Sequence, residues 1–234
     1  MKPSLLQLHT EPFTIEREWE SDGIPVLSAS VSIPRPIPSE RGVFRRIRRF
    51  YDLQARAFFR YCEHWLFPEA ITQCQSALAS SAPLPRFHTQ LNYHITYNEG
   101  GFWSLYTQSC EPDPSGRPLF FRHGDTWDLA AGYPVSLSSF FLPRVRWKSR
   151  LLTLAAQEIQ TQEHAGISLY HPEWRKLLRR HFNARNYYLT PEGIAFFFPM
   201  HSIAPPAERI PVFLLPYRDT RFSGPPGTQK GLTP

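Results

Sequence analysis

Proline is spread so densely through this chain, 24 in 234 residues, that it sets the first limit on the fold. Each proline fixes its own φ, lacks a backbone N–H and pushes the preceding residue toward extended backbone. A helical bundle is disfavoured, and short strands joined by many turns are favoured. Hydrophobic residues make up 41% of the chain, with 18 Phe, 10 Tyr and 6 Trp. That is ample material for a core and excludes wholesale disorder. The length suits one large domain or two small ones.

Residues 13–20 (FTIEREWE) alternate, with Phe13, Ile15, Arg17 and Trp19 on one face. Residues 25–33 (PVLSASVSI) alternate more cleanly, with Leu27, Ala29, Val31 and Ile33 opposite Ser28, Ser30 and Ser32. Such alternation marks half-buried strands. Pro34, Pro36 and Pro38 are expected to stop strand pairing. Ser39 is placed to cap a helix. In that helix Phe44, Ile47, Tyr51, Ala55, Phe58, Cys62 and Trp65 form one apolar stripe. Pro68 interrupts it, and EAITQCQSALAS extends or restarts it.

RFHTQLNYHITYN places Phe87, Thr89, Leu91, Tyr93, Ile95 and Tyr97 on one strand face. Gly100 and Gly101 then mark a tight reversal or a bulge. FWSLYTQSC and LFFRHGDTWDL supply further strands. Residues 147–182 read as helical, broken near Gly166 and restarted around His171–Pro172, with Arg179, Arg180 and His181 suited to the last turn. NYYLT–PEG–IAFFFP is a hairpin signature, and IPVFLLPY adds a closing strand. Three consecutive Phe, 196–198, imply a strand covered on both faces or an aromatic offered to a partner.

Helices segregated from antiparallel strands predict an α+β fold: an antiparallel sheet packed with helices, in two fused α+β subdomains. The expected organisation is an N-terminal subdomain over 1–85, a C-terminal subdomain over 86–217 and a flexible tail over 218–234.

The C-terminal third carries a resemblance. Tyr187-Tyr188-Leu189-Thr190-Pro191-Glu192-Gly193-Ile194-Ala195-Phe196-Phe197-Phe198, then Ile203-Ala204-Pro205, Ile210-Pro211 and Leu215-Pro216-Tyr217, resemble the end of the RsiV-like domain of unknown function. Asp125 to Gly132 followed by Leu137 to Phe141 is similar to a further element of that domain. The resemblance implies a bacterial α+β domain of the kind found in the extracytoplasmic part of the anti-sigma factor RsiV, which binds lysozyme. It is also found in the non-catalytic region of some polysaccharide deacetylases. Many relatives carry a Gly-Gly-Ala-His-Gly run. Here the comparable stretch includes Arg122-His123-Gly124, so a role tied to that run does not transfer.

Three groups of residues are candidates for function. Between Arg41 and Arg60 there are seven arginines and one acid, Asp52. Arg45, Arg46, Arg48, Arg49, Arg56 and Arg60 avoid the apolar stripe, so they share the solvent side. They form a surface for phosphate or acidic partners, or a solvated helix face answering Glu16, Glu18, Glu20 and Asp22. The aromatic and polar run RFHTQLNYHITYNEGGFWSLY is a stacking platform for single-stranded nucleic acid or simply a half-buried strand. His201, on a loop within the family-like region, and Phe197 are candidates for partner contact. The histidines match no common metal-ligand spacing. Cys62, Cys74 and Cys110 are odd in number and lack CxxC spacing, which argues against a disulfide framework or structural zinc. No nucleophile or phosphate-loop motif is present.

No catalytic residue, metal or cofactor is therefore predicted. The leading expectation is a non-enzymatic, sensor-like domain binding a protein or cell-wall-related ligand. Binding of nucleic acid or another anionic surface through the Arg-rich helix is the alternative, and a hydrolase the third reading. MKPSLLQLHTEPF has no export features. The expected compartment is cytoplasmic, or extracytoplasmic if the sequence is a trimmed piece of an exported protein.

Overall fold

The computed structural model describes residues 7–38, 42–113, 116–167 and 169–218. Ser39 and residues 219–234, expected as a helix cap and a loose tail, lie outside the described residues. The fold is α+β. Strands β1 (His9–Ser21), β2 (Ile24–Ile37), β3 (Phe87–Glu99), β4 (Phe102–Pro112), β5 (Pro118–Asp128) and β6 (Tyr133–Pro134) form one sheet in chain order. Strands β7 (Tyr187–Leu189), β8 (Gly193–Phe197) and β9 (Val212–Pro216) form a second, antiparallel sheet. One pairing departs from the antiparallel expectation. β2 and β3 run parallel, which requires the long helical crossover between them.

That crossover consists of α1 (Gly42–Tyr61), a π-helical turn (Cys62–Leu66) and α2 (Phe67–Ala79). Pro68 does not break it. The proline sits in the first turn of α2, where its missing N–H has no partner to lose. The π-turn just before it is closed by the Phe67 N–H donating to the Cys62 carbonyl.

Contact density divides the chain into two compact units. One takes His9–Tyr93 and Gln108–Leu119. The other takes the described parts of Met1–Leu8, His94–Thr107 and Phe120–Pro234.

In the first unit, the β1–β2 ladder pairs Phe13 with Ile33, Ile15 with Val31, Arg17 with Ala29 and Trp19 with Leu27. The β2–β3 ladder adds Phe87, Thr89 and Leu91 to that face. Ile47, Tyr51, Ala55 and Phe59 of α1 are buried, and the Phe59 ring meets Trp19 at 6.3 Å. The other face of these strands is polar, with Glu16 opposite Ser30, Glu18 opposite Ser28, and Ser28 beside His88. Strand pairing does not end at Pro34. β2 continues to Ile37, with Pro34 opposite Pro12 and Pro36 opposite Thr10. Pro12, Pro34 and Pro36 fall on the same phase of the ladder. Antiparallel partners in that phase exchange no hydrogen bonds, so the missing N–H groups cost nothing.

In the second unit, the three-stranded sheet packs one face into the main core. Phe196, Phe198, Phe213 and Leu215 lie with Leu151, Ala155 and Ile159 of α3 (Trp147–His164) and with Trp174 and Leu178 of α4 (Trp174–His181). Gly166, at φ +64, follows the end of α3 in a backbone that glycine adopts without strain. On the opposite face Tyr188, Ala195 and Phe197 pack with Tyr106 and Ile210. Buried Ser104 of β4 ties elements together. Its hydroxyl lies 3.1 Å from the Asp125 carbonyl and 2.8 Å from the Thr126 hydroxyl, and it accepts the Leu189 N–H at 2.9 Å.

Candidate functional site

The Arg-rich helix is the most developed candidate. Burying Ile47, Tyr51, Ala55 and Phe59 fixes the rotation of α1, and that rotation leaves Arg45, Arg46, Arg49, Arg56 and Arg60 exposed. Arg48 lies at the boundary, 3.7 Å from Asp52 one turn on. The expected apolar stripe holds through Ala55 and then shifts. Phe59, not Phe58, is the more buried ring, and Trp65 is 71% exposed. The π-turn explains Trp65. Ile47 and Trp65 are eighteen residues apart, five turns of regular α-helix at about 3.6 residues each. The wider π-turn takes up an extra residue and rotates Trp65 out of the stripe. Buried Cys62, Ala70 and Cys74 return to it.

The acidic run on β1 does not answer the arginines. Arg17 stacks over the Phe59 ring at 4.4 Å and Trp19 meets the same ring, so the odd-numbered residues of β1 face α1. Alternation sends Glu16 and Glu18 to the opposite face, and Glu16, Glu18 and Glu20 are exposed. Among the described residues no ion pair joins Arg45, Arg49, Arg56 or Arg60 to these acids. The unit thus presents a cationic helix on one side and a carboxylate row on the other.

Phe197 is 3% exposed, and Phe196 and Phe198 are buried too. Of the two readings of the triple Phe, coverage on both faces is the observed one. The Phe197 ring is not offered to a partner. The Arg122 guanidinium reinforces this packing, lying over the Tyr106 ring at 4.1 Å and 5.8 Å from the Phe197 ring. His201 is exposed, at φ +65, in the turn after β8. Two shallow open grooves are lined by Val145–Ser149 with Leu152, and by Arg175, Lys176, Arg179 and Arg180. Neither includes His201 or a carboxylate.

A second histidine pairs with a carboxylate in three dimensions. His123 Nε2 lies 3.2 Å from the buried Asp125 carboxylate. The hydrogen bond to Asp125 raises the His123 pKa against burial and the charge of Arg185. Gly124 between them passes so close to the Tyr187 carbonyl that a Cβ there would overlap it. The sequence signal was the i, i+2 spacing of His123 and Asp125, which puts both side chains on one strand face. Cys62 is buried, and desolvation aided by the Glu111 carboxylate pushes its thiol up to about 12, far from a reactive thiolate. Among the described residues no group of three His, Cys, Asp or Glu side chains gathers as a ligand set, and no helix is long and apolar enough to cross a membrane.

No protein-family model matches the chain, and no curated protein matches it in sequence. Solved structures do match. A DUF3298 family member from Bacteroides fragilis superposes with a TM-score of 0.67 at 14% identity, over 94% of this chain and 96% of the other. A DUF3298 family protein from Pseudomonas aeruginosa gives a TM-score of 0.56 at 13% identity, over 90% and 91%. Near-complete coverage of both chains at such low identity speaks to architecture and not to residue roles. This chain shares its fold with DUF3298 family proteins.

Proposed function

We propose that this protein is a non-catalytic binding module whose contact surface is the outer face of α1, and that its partner presents a dense anionic surface. The observation that carries the reading is the separation of charge within the first unit. Arg45, Arg46, Arg49, Arg56 and Arg60 stand on one side, and their nearest acidic run faces the other way. Guanidinium groups exposed on a rigid helix bind phosphate and carboxylate well. The opposed carboxylate row orients the molecule as it approaches, since it is repelled where the helix is attracted. A domain that engages a ligand is also what the RsiV-like motifs of the C-terminal third imply. A non-catalytic role is supported by the raised Cys62 thiol.

The test is retention on a phosphorylated or sulfated matrix across a salt gradient. The wild-type protein should be held at low salt and released steeply as salt rises. The triple variant Arg45→Gln, Arg46→Gln, Arg49→Gln should elute much earlier while keeping its thermal stability. Equal elution of the two proteins would remove α1 as the contact surface.

A further inference from the structure

The cationic face of α1 also carries an apolar row. Leu53 is 51% exposed, Tyr61 is 38% exposed, Trp65 is 71% exposed, and Ala57 is exposed between them. Positions four apart on a helix stack along one side, so Leu53, Ala57 and Tyr61 form a stripe distinct from the buried one. The π-turn brings Trp65 into line with it. In a regular helix Trp65 would lie above Ile47 in the core, and the extra residue of the turn rotates it outward. Arg49, Arg56 and Arg60 lie within about one turn of Leu53 or Ala57, and Arg46 lies about two turns before Leu53. The Tyr61 hydroxyl donates to buried Glu111 at 2.8 Å, which holds that ring against the body of the protein with one edge in water.

Arginines alone would suit any polyanion. An aliphatic and aromatic row between them is not rewarded by a nucleic-acid backbone, whose surface is hydrated phosphate and sugar. A bilayer rewards both. Headgroup phosphates take the guanidinium groups, while leucine and tryptophan enter the boundary between headgroups and acyl chains. Building on the reading of α1 as an anionic contact surface, we infer that the occupant of this face is an anionic phospholipid membrane. The helix lies flat on it, with Leu53 and Trp65 inserted and the arginines at headgroup level. Because α1 is already fixed by its buried stripe, docking orders little that is not ordered beforehand.

The experiment is co-sedimentation of the full chain with vesicles of phosphatidylcholine alone, or of phosphatidylcholine containing phosphatidylglycerol, beside gel-shift with a single-stranded oligonucleotide. Binding is expected to the phosphatidylglycerol vesicles and not to phosphatidylcholine alone. Leu53→Gln with Trp65→Gln, both surface changes that leave the fold intact, should weaken vesicle binding roughly ten- to a hundredfold. The same variant should leave retention on the charged matrix unchanged. Quenching of wild-type tryptophan fluorescence by brominated lipid, lost in Trp65→Phe, would place the indole in the bilayer. Vesicle binding unaffected by the Leu53/Trp65 variant would overturn the lipid inference while leaving the anionic-surface reading in place. So would oligonucleotide binding tighter than vesicle binding. Failure to bind any of the anionic probes would overturn both.

Discussion

Phe198→Ala deletes a ring with no solvent exposure from the centre of an aromatic group. Its neighbours are Phe182 at 6.4 Å, Phe196 at 6.4 Å and Phe213 at 5.8 Å between ring centroids. They come from three segments: the residue after α4, β8 and β9. No rotation of one side chain can refill the space, so most of the cavity should persist. Removing a fully buried phenyl ring costs about 3–5 kcal/mol when the site relaxes only partly. The edge-on contacts with Phe196 and Phe213 put the expectation in the upper half of that range. For a chain of this size each kcal/mol moves Tm by about 2–4 °C. Thermal unfolding followed by near-ultraviolet circular dichroism should therefore shift down by roughly 10 °C or more. Phe121→Ala is the matched control, because it removes the same group from a ring 55% exposed and should cost less than about 0.5 kcal/mol. If the two variants unfold at the same temperature, Phe198 is not in a core and the placement of the second sheet is wrong.

Two further predictions concern β5. Gly124→Ala drives a methyl into the Tyr187 carbonyl, and with backbone on both sides it should lose about 1–3 kcal/mol or more in urea denaturation; unchanged stability would mean the two strands can separate freely. His123 has a folded-state pKa raised above the ordinary 6.5 by its bond to Asp125. Its contribution to stability is therefore fully present below about pH 6.5 and fades as pH rises through the folded value. The Tm gap between wild type and His123→Gln should be widest in mildly acidic buffer and close toward mildly alkaline pH, and a gap independent of pH would show that the pair does not form.

Much of this architecture could be read from the sequence because alternation is a strong signal when one face is buried. The odd positions of 13–19 and 27–33 and the hairpin across Tyr187–Phe198 appear where the pattern put them. Arg17 sat on an apolar face in that pattern, and the structure supplies the reason: its guanidinium lies over Phe59. What the sequence could not supply was which sheet face the helices cover. Alternation alone shows that Glu16 and Glu18 oppose Arg17 and Trp19, but only the packing of α1 shows that the acids point away from the arginines. The prolines misled for a related reason. Loss of an N–H matters only on the hydrogen-bonded phase of a ladder, and phase is a property of two strands together. Phe197 was ambiguous because Tyr106, which covers it, lies ninety-one residues away.

The π-turn is the feature least visible in sequence, and it also determines the exposed row on α1, so its origin is worth testing directly. Cys62 and Ala70 are both buried and eight residues apart, whereas two regular turns take about 7.2 residues. Deleting Glu63 from the π-turn should let the segment close into ordinary α-helix while keeping Cys62 and Ala70 on the core side. The obstacle is Pro68. In a continuous α-helix its ring would meet the carbonyl four residues before it, and the missing N–H would leave that carbonyl without a partner, at a cost of about 3 kcal/mol. The wider turn ahead of α2 removes both problems. The Glu63 deletion alone should thus destabilise by about 3 kcal/mol. The deletion combined with Pro68→Ala should recover most of that loss, while Pro68→Ala by itself should change little. A thermodynamic cycle over the four proteins measures the coupling. If the two changes prove additive, Pro68 does not determine the turn, and the surplus residue between Cys62 and Ala70 must be held open by packing alone.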